Sequence, residues 1–136
     1  DELDNLVIPV GSGIQFSGIL RGLEKYKKKV KRIVGVAFVD RRKTINGYLN
    51  KFKYNIFEGV GATKEFHNYE MVLTPFAYSK PIWEDVGGHM IDDIYEGKAH
   101  RWMRENIDTE KERTLFWIVG RRLTEAEVDH LVENKL

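Results

Sequence analysis

Three short stretches carry residue types that could do chemistry. The first is Gly11-Ser12-Gly13, set between the apolar run Val7–Val10 and a helical spacing through Ile14, Ile19, Leu20 and Leu23. The first amides of a helix lack partners and point outward, so such a junction can hold an anion. The two small glycines let the backbone approach it, and Ser12 adds a hydroxyl. A Walker loop would need Lys-Ser/Thr after Gly18, where Ile19-Leu20 stand. The dinucleotide fingerprint would need a glycine at 16, where Phe16 stands. A generic anion cradle remains, or a tight strand–helix turn with no ligand. The second stretch is Tyr95-Glu96, where a strand is expected to hand over to a helix. A carboxylate there can pair with a protonated ring nitrogen, with a phenol beside it as acid or base. It can equally serve the first turn of a helix, where negative charge is favourable. The third is Tyr78, in a loop bracketed by Pro75 and Pro81, where it can reach a ligand or simply pack.

Other candidates carry less. His67, His89, His100 and His130 show no metal-ligand spacing and read as structural or surface residues, so no metal site is expected. Asp92-Asp93 would point to opposite faces of a strand, which argues against a carboxylate dyad. The chain has no cysteine, which removes thiol catalysis, thiolate metal sites and disulfides.

The elements that must position these residues follow from periodicity. Strands are expected at Leu6–Val10, Arg32–Asp40, the start of Asn68–Tyr78, His89–Tyr95 and Arg113–Gly120. Arg32–Asp40 is almost continuously apolar, which suits a parallel strand buried on both faces. Helices are expected from about Gly13 to Lys28, through Ile45, Tyr48, Leu49, Phe52 and Ile56, and over Glu96–Asn106. Gly59 and Gly61 would end the second of these. A last amphipathic helix is expected after Thr124, which forms a capping box with Glu127 and has Leu131 and Val132 on its apolar side. The alternation predicts one α/β domain over residues 1–136, with an open, mainly parallel sheet. Ligands of such sheets gather at the carboxyl ends of strands, near 11–15, 40–42, 74–78, 95–96 and 120–121 here.

The bulk composition fits a soluble globular chain: 136 residues, 42% hydrophobic, 12% aromatic and 32% charged. No apolar run approaches the roughly 20 residues that cross a bilayer, so no membrane partner is expected and the cytoplasm is the simplest compartment. Net charge is +1, giving no global pull toward nucleic acid. One local run, Lys25–Arg32, holds six basic residues and no acid. It reads as a solvated helix end or as a polyanion contact. The chain opens at Asp1 and enters a strand almost at once, which reads as a piece of a longer or processed protein.

Taken in order, these stretches resemble the second half of a fold-type II pyridoxal-phosphate enzyme, with 1-aminocyclopropane-1-carboxylate deaminase and D-cysteine desulfhydrase as the nearest kin. VIPVGSGIQFSGILRGL resembles the family's strand, glycine-rich phosphate loop and helix, and VKRIVGVAFV its next strand. LTPFAYSKP resembles a loop ending Gly-Tyr-Gly-x-Pro. IDDIYEGKAHRWM resembles Leu-Asp-Pro-Val-Tyr-(Glu or Thr)-Gly-Lys-(Ala or Ser), the most specific match. ERTLFWIVGRR resembles the closing strand, which ends Gly-Gly in the family.

The resemblance implies a tryptophan synthase β-like large domain, with pyridoxal phosphate as cofactor. Gly11, Ser12 and Gly13 would hold its phosphate, with Ile14 and Gln15 where the family has Gly-Thr. Glu96 would face the pyridine nitrogen, and Gly120 would lie beside the cofactor. Tyr95 and Tyr78 would be the catalytic residues near the substrate. Lys98 matches a structural position, not the Schiff-base lysine, which belongs to a first half that this sequence lacks. The implied activity is a lyase or deaminase acting on a small amino acid or amino-acid-like group, inactive until a second chain or segment brings that lysine. A homo-oligomer is expected. The rival reading is a degenerate α/β binding or interaction domain that kept the fold and lost the chemistry. A further expectation is that the Lys25–Arg32 run contacts a larger anionic substrate.

Overall fold

The computed structural model describes residues 2–52, 69–118 and 125–134. The apolar run at the start forms β1 (Leu3–Pro9), which passes through a short loop into α1 (Ile14–Lys25). β2 (Val30–Ala37) leads into α2 (Arg42–Phe52), and β3 (Glu70–Leu73) opens the second described stretch. A small antiparallel hairpin of β4 (Asp85–Val86) and β5 (His89–Met90) turns at Gly87-Gly88. α3 (Glu96–Asn106), β6 (Thr114–Phe116) and α4 (Glu125–Glu133) complete the order.

The main sheet has four strands in the order β3-β2-β1-β6, every pair parallel. β1 is central, flanked by β2 and β6, which is why it starts at Leu3 rather than Leu6: Leu3 pairs with Val30 and Asn5 with both Arg32 and Thr114. Alternate residues of β1 serve opposite faces. Leu6 and Ile8, with Val10 just beyond, pack with Phe16, Leu20, Ile45 and Leu49 from α1 and α2. Val7, with Val34 and Val36 of β2, packs with Ala99, Met103 and Ile107 in and just after α3. Helices therefore cover both faces, and the apolar runs expected to be buried on both sides are so.

The differences from the expected elements have local causes. β2 starts two residues early because Val30 pairs with β1, and stops at Ala37 where the chain turns toward α2. α1 stops at Lys25, three residues short, because Lys27 adopts a left-handed conformation with φ 52°. The extended stretch expected at His89–Tyr95 is a strand only at its start. The Asp92 carboxylate accepts from the amides of Ile94, Tyr95 and Glu96, bending 92–95 into the entry turn of α3. α3 itself spans the residues expected. α4 forms, but none of its residues is buried, and Val132 of its expected apolar side is exposed. Thr124, Ile56, Gly59 and Gly61 lie outside the described residues, as does His67.

Candidate functional site

The carboxyl ends of the parallel strands form the site. The β1–α1 loop reaches its helix through Gly13, whose φ of 91° few side chains tolerate and whose absent Cβ would press to 3.0 Å from Ile45. The Gly13 carbonyl accepts from both the amide and the hydroxyl of Ser17, at 3.0 and 2.7 Å, which fixes the start of α1. The Ile14 amide reaches only the Ser12 hydroxyl, at a long 3.4 Å. Gln15 and Phe16 follow in the first turn, whose amides have no acceptor within the helix. Ile14 and Gln15 turn to solvent.

Opposite this loop stands the start of α3. Tyr95, Glu96 and residues 9–16 line one cleft of about 240 Å³. The contact is close: a Cβ on Gly11 would lie 3.3 Å from the Tyr95 ring. Glu96 is buried within this wall. The structure thus brings together seven of the nine residues expected around a cofactor or substrate: Gly11, Ser12, Gly13, Ile14, Gln15, Tyr95 and Glu96. Tyr78 does not line the cleft. It is half exposed and stands behind Tyr95, ring centroids 5.9 Å apart, with Phe38 4.9 Å from Tyr78 and 6.0 Å from Tyr95. Gly120 lies outside the described residues.

The Tyr78 phenol at its side, and then burial, hold the Tyr95 pKa above the usual phenol value, so Tyr95 keeps its proton near neutral pH. Arg41 works in the opposite direction. It lies beside the loop, its Cβ 3.9 Å from the point a Gly13 Cβ would occupy, and its buried Nε has no hydrogen-bond partner. Its neighbour Arg42 is instead committed to Asp40, whose carboxyl it holds at about 2.

Lys98 is buried and tied to structure. Its ammonium donates to the carbonyls of Ala77 and Tyr78 at 2.8 and 2.9 Å and lies 5.9 Å from the centre of the Tyr78 ring. Burial pushes its pKa down, against the carboxylates of Asp93 and Asp92. This lysine fastens the proline-bracketed loop to α3 and is absent from the cleft lining.

Beneath the site, Glu84 gathers His100, Arg101 and Arg104 of α3 at 3.1, 3.3 and 2.8 Å. Burial alone would raise its pKa, but hydrogen bonds from Arg104, His100 and Arg101 outweigh that and bring it to about 2. His100 is accordingly a structural histidine. Among the described residues no group of His, Cys, Asp and Glu is arranged to hold a metal ion.

Sequence reasoning missed Asp92 as the cap and Glu84 as a clamp, and placed Arg41 only within the 40–42 rim segment. Only the first had a local signal, an acidic residue just ahead of a helical run. Neither a family model, nor a curated protein, nor a solved structure matches the chain.

The residues present suit two parts of pyridoxal phosphate and not a third. Gly11, where a Cβ would press on the Tyr95 ring, and Gly13 leave a backbone cradle at a helix start, which suits a phosphate. Glu96 in the same wall suits a pyridine nitrogen. Among the described residues no lysine lines the cleft.

Proposed function

We propose that this chain is the phosphate-cradling half of a pyridoxal-phosphate-dependent lyase or deaminase, of tryptophan synthase β-like fold, acting on a small amino acid or amino-acid-like group. The observation that carries the reading is the single cleft in which the Gly11–Phe16 loop faces Tyr95 and Glu96. The cofactor, when bound, supplies an electron sink for charge developing on an amino-acid carbon. The chain's own residues bind and position it. The loop amides at 14–16 hold the phosphate, Glu96 holds the ring-nitrogen proton, and Tyr95 carries a proton that it can give to a substrate atom. Tyr78 supports Tyr95 from behind, so its role is positioning. The lysine comes from another segment or chain.

That the described lining of the cleft holds no lysine also favours a second reading, a non-catalytic domain that kept the fold. Pyridoxine 5′-phosphate tests the first without interference, because it has the phosphate and ring nitrogen but no aldehyde to react with surface lysines. The expected result is saturable binding by calorimetry, at least tenfold stronger than for pyridoxine, which lacks the phosphate. Glu96→Gln weakens it about tenfold, the worth of one charge-assisted hydrogen bond. Equal, negligible binding of both compounds would leave the second reading standing.

A further inference from the structure

The structure also carries a basic surface far from this cleft, and no part of the proposed chemistry uses it. It lies where α1 ends and β2 begins, at the opposite end of the sheet. The 12 residues of α1 separate it from the Gly11 loop by about 18 Å of helix. Only a substrate that extends about that far from the cleft would therefore meet Lys25–Lys29. Two members of the run are already engaged: Lys31 pairs with Asp4 at 2.7 Å, and Arg32 pairs with Glu70 at 2.7 Å and stacks near Trp102.

Lys27, Lys28 and Lys29 are different. All three are exposed, and none forms an ion pair with a described residue. They rim a groove of about 510 Å³ floored by Leu3, Leu23 and Val30, with Glu2 the one acid on its edge among the described residues. Tyr26 beside it is 67% exposed, and Lys25 lies over one face of its ring at 5.5 Å.

Lys27 is also held in a conformation that favours glycine. The Lys27 amide donates to the Glu24 carbonyl and the Lys28 amide to the Leu23 carbonyl, at 3.1 and 2.9 Å. This is the Schellman arrangement, whose left-handed residue is usually glycine. Glycine at 27 would make the same backbone bonds without strain. The chain instead spends that position on a third adjacent cation, next to two that repel it. A folding role explains neither cost, since α1 already has Lys25 in its last turn to meet its dipole.

We infer that Lys27, Lys28, Lys29 and Tyr26 form a binding surface for single-stranded nucleic acid, the lysines on the phosphodiester backbone and Tyr26 on an unstacked base. Charge complementarity requires an anion of repeating charge. The open aromatic face favours an unpaired strand. A membrane surface is less well matched, because Tyr26 is the sole large apolar side chain exposed at the patch among the described residues.

Fluorescence anisotropy with labelled 12-mers of deoxythymidine and of uridine tests this on the whole chain. Three phosphate contacts predict affinity falling about 20-fold between 50 and 200 mM salt. Tyr26→Ala weakens binding about tenfold. Lys27→Gly weakens it several-fold while raising the thermal midpoint, a combination that a purely structural lysine would not give. The triple variant Lys27→Gly, Lys28→Ser, Lys29→Ser loses most of the salt dependence. Absence of oligonucleotide binding at 50 mM salt, or binding unchanged in the triple variant, overturns the inference. So does tighter binding to phosphatidylserine vesicles than to either oligonucleotide.

Discussion

At the scale of single residues, the side chains expected to do chemistry divide by what holds them. Glu96 and Tyr95 are placed by Asp92, whose carboxylate accepts the amides of both. Tyr78 is placed by Lys98, which grips the carbonyl of Tyr78 itself. Lys98→Met would leave that carbonyl and the Ala77 carbonyl without their donor, at a cost of about 2 kcal/mol. The same change frees Tyr78 from Tyr95. The expected outcome is a lower urea midpoint together with a Tyr95 phenol titration shifted back toward the ordinary value, followed by ultraviolet absorbance. A midpoint that drops with no change in the titration would show that Lys98 does not position Tyr78. The pair Tyr95-Glu96 was readable as a candidate from its residue types alone, and the structure places both in the cleft wall. Lys98 was readable only as a structural position, because nothing in the sequence shows which carbonyls a buried ammonium will find.

Secondary elements set how the cleft is framed, and α3 matters most. Its second residue, Gly97, packs so tightly under the chain that an added Cβ would fall 1.9 Å from the Ile82 carbonyl oxygen. Backbone, not a movable side chain, is in the way. Gly97→Ala should therefore cost at least about 2 kcal/mol and displace the 82–93 segment, to be measured by chemical denaturation against Gly18→Ala, where a Cβ meets nothing within 4 Å.

The Glu84 clamp fastens the same segment from the other side. Its folded-state pKa of about 2 lies below the ordinary 4.5. Its contribution is present above pH 4.5 and is lost as pH falls toward 2. Glu84→Gln should cost about 2 kcal/mol at pH 7 and progressively less between pH 4.5 and 3, read from denaturation midpoints across that range. A constant difference down to pH 3 would contradict the assignment. Element types were legible because the apolar periods are strong: the two-faced burial of β1 and β2 and the limits of α3 follow from them. The ends of the strands were less so. Pairing partners fix them, as Val30 opposite Leu3 does for β2, and those partners are distant in the chain. The bend at Asp92 was lost because a short apolar alternation looks like a strand until its carboxylate is seen to cap a helix.

At the scale of the molecule, a parallel four-stranded sheet covered on both faces sends its loops to one rim, and that rim gathers Gly11–Phe16, Tyr95 and Glu96. The grouping was legible from topology, since strand carboxyl ends are where such sheets bind. What the topology could not supply was depth: Tyr78 belongs to the rim yet sits behind Tyr95. The opposite rim gathers the lysines past α1, so these two regions are separated by the length of that helix. No helix among the described residues is long and apolar enough to cross a membrane.

The central claim is that a phosphorylated pyridine seats in the cleft between α1 and α3. Amide nitrogen–proton correlation spectra of the whole chain, titrated with pyridoxine 5′-phosphate, test it most directly. The account predicts saturating shifts at Gly13, Ile14, Gln15 and Phe16 and at Tyr95 and Glu96, with Lys27–Lys29 unmoved in 200 mM salt. Shifts confined to Lys27–Lys29, or none in the Gly13–Phe16 amides at saturating ligand, would contradict it.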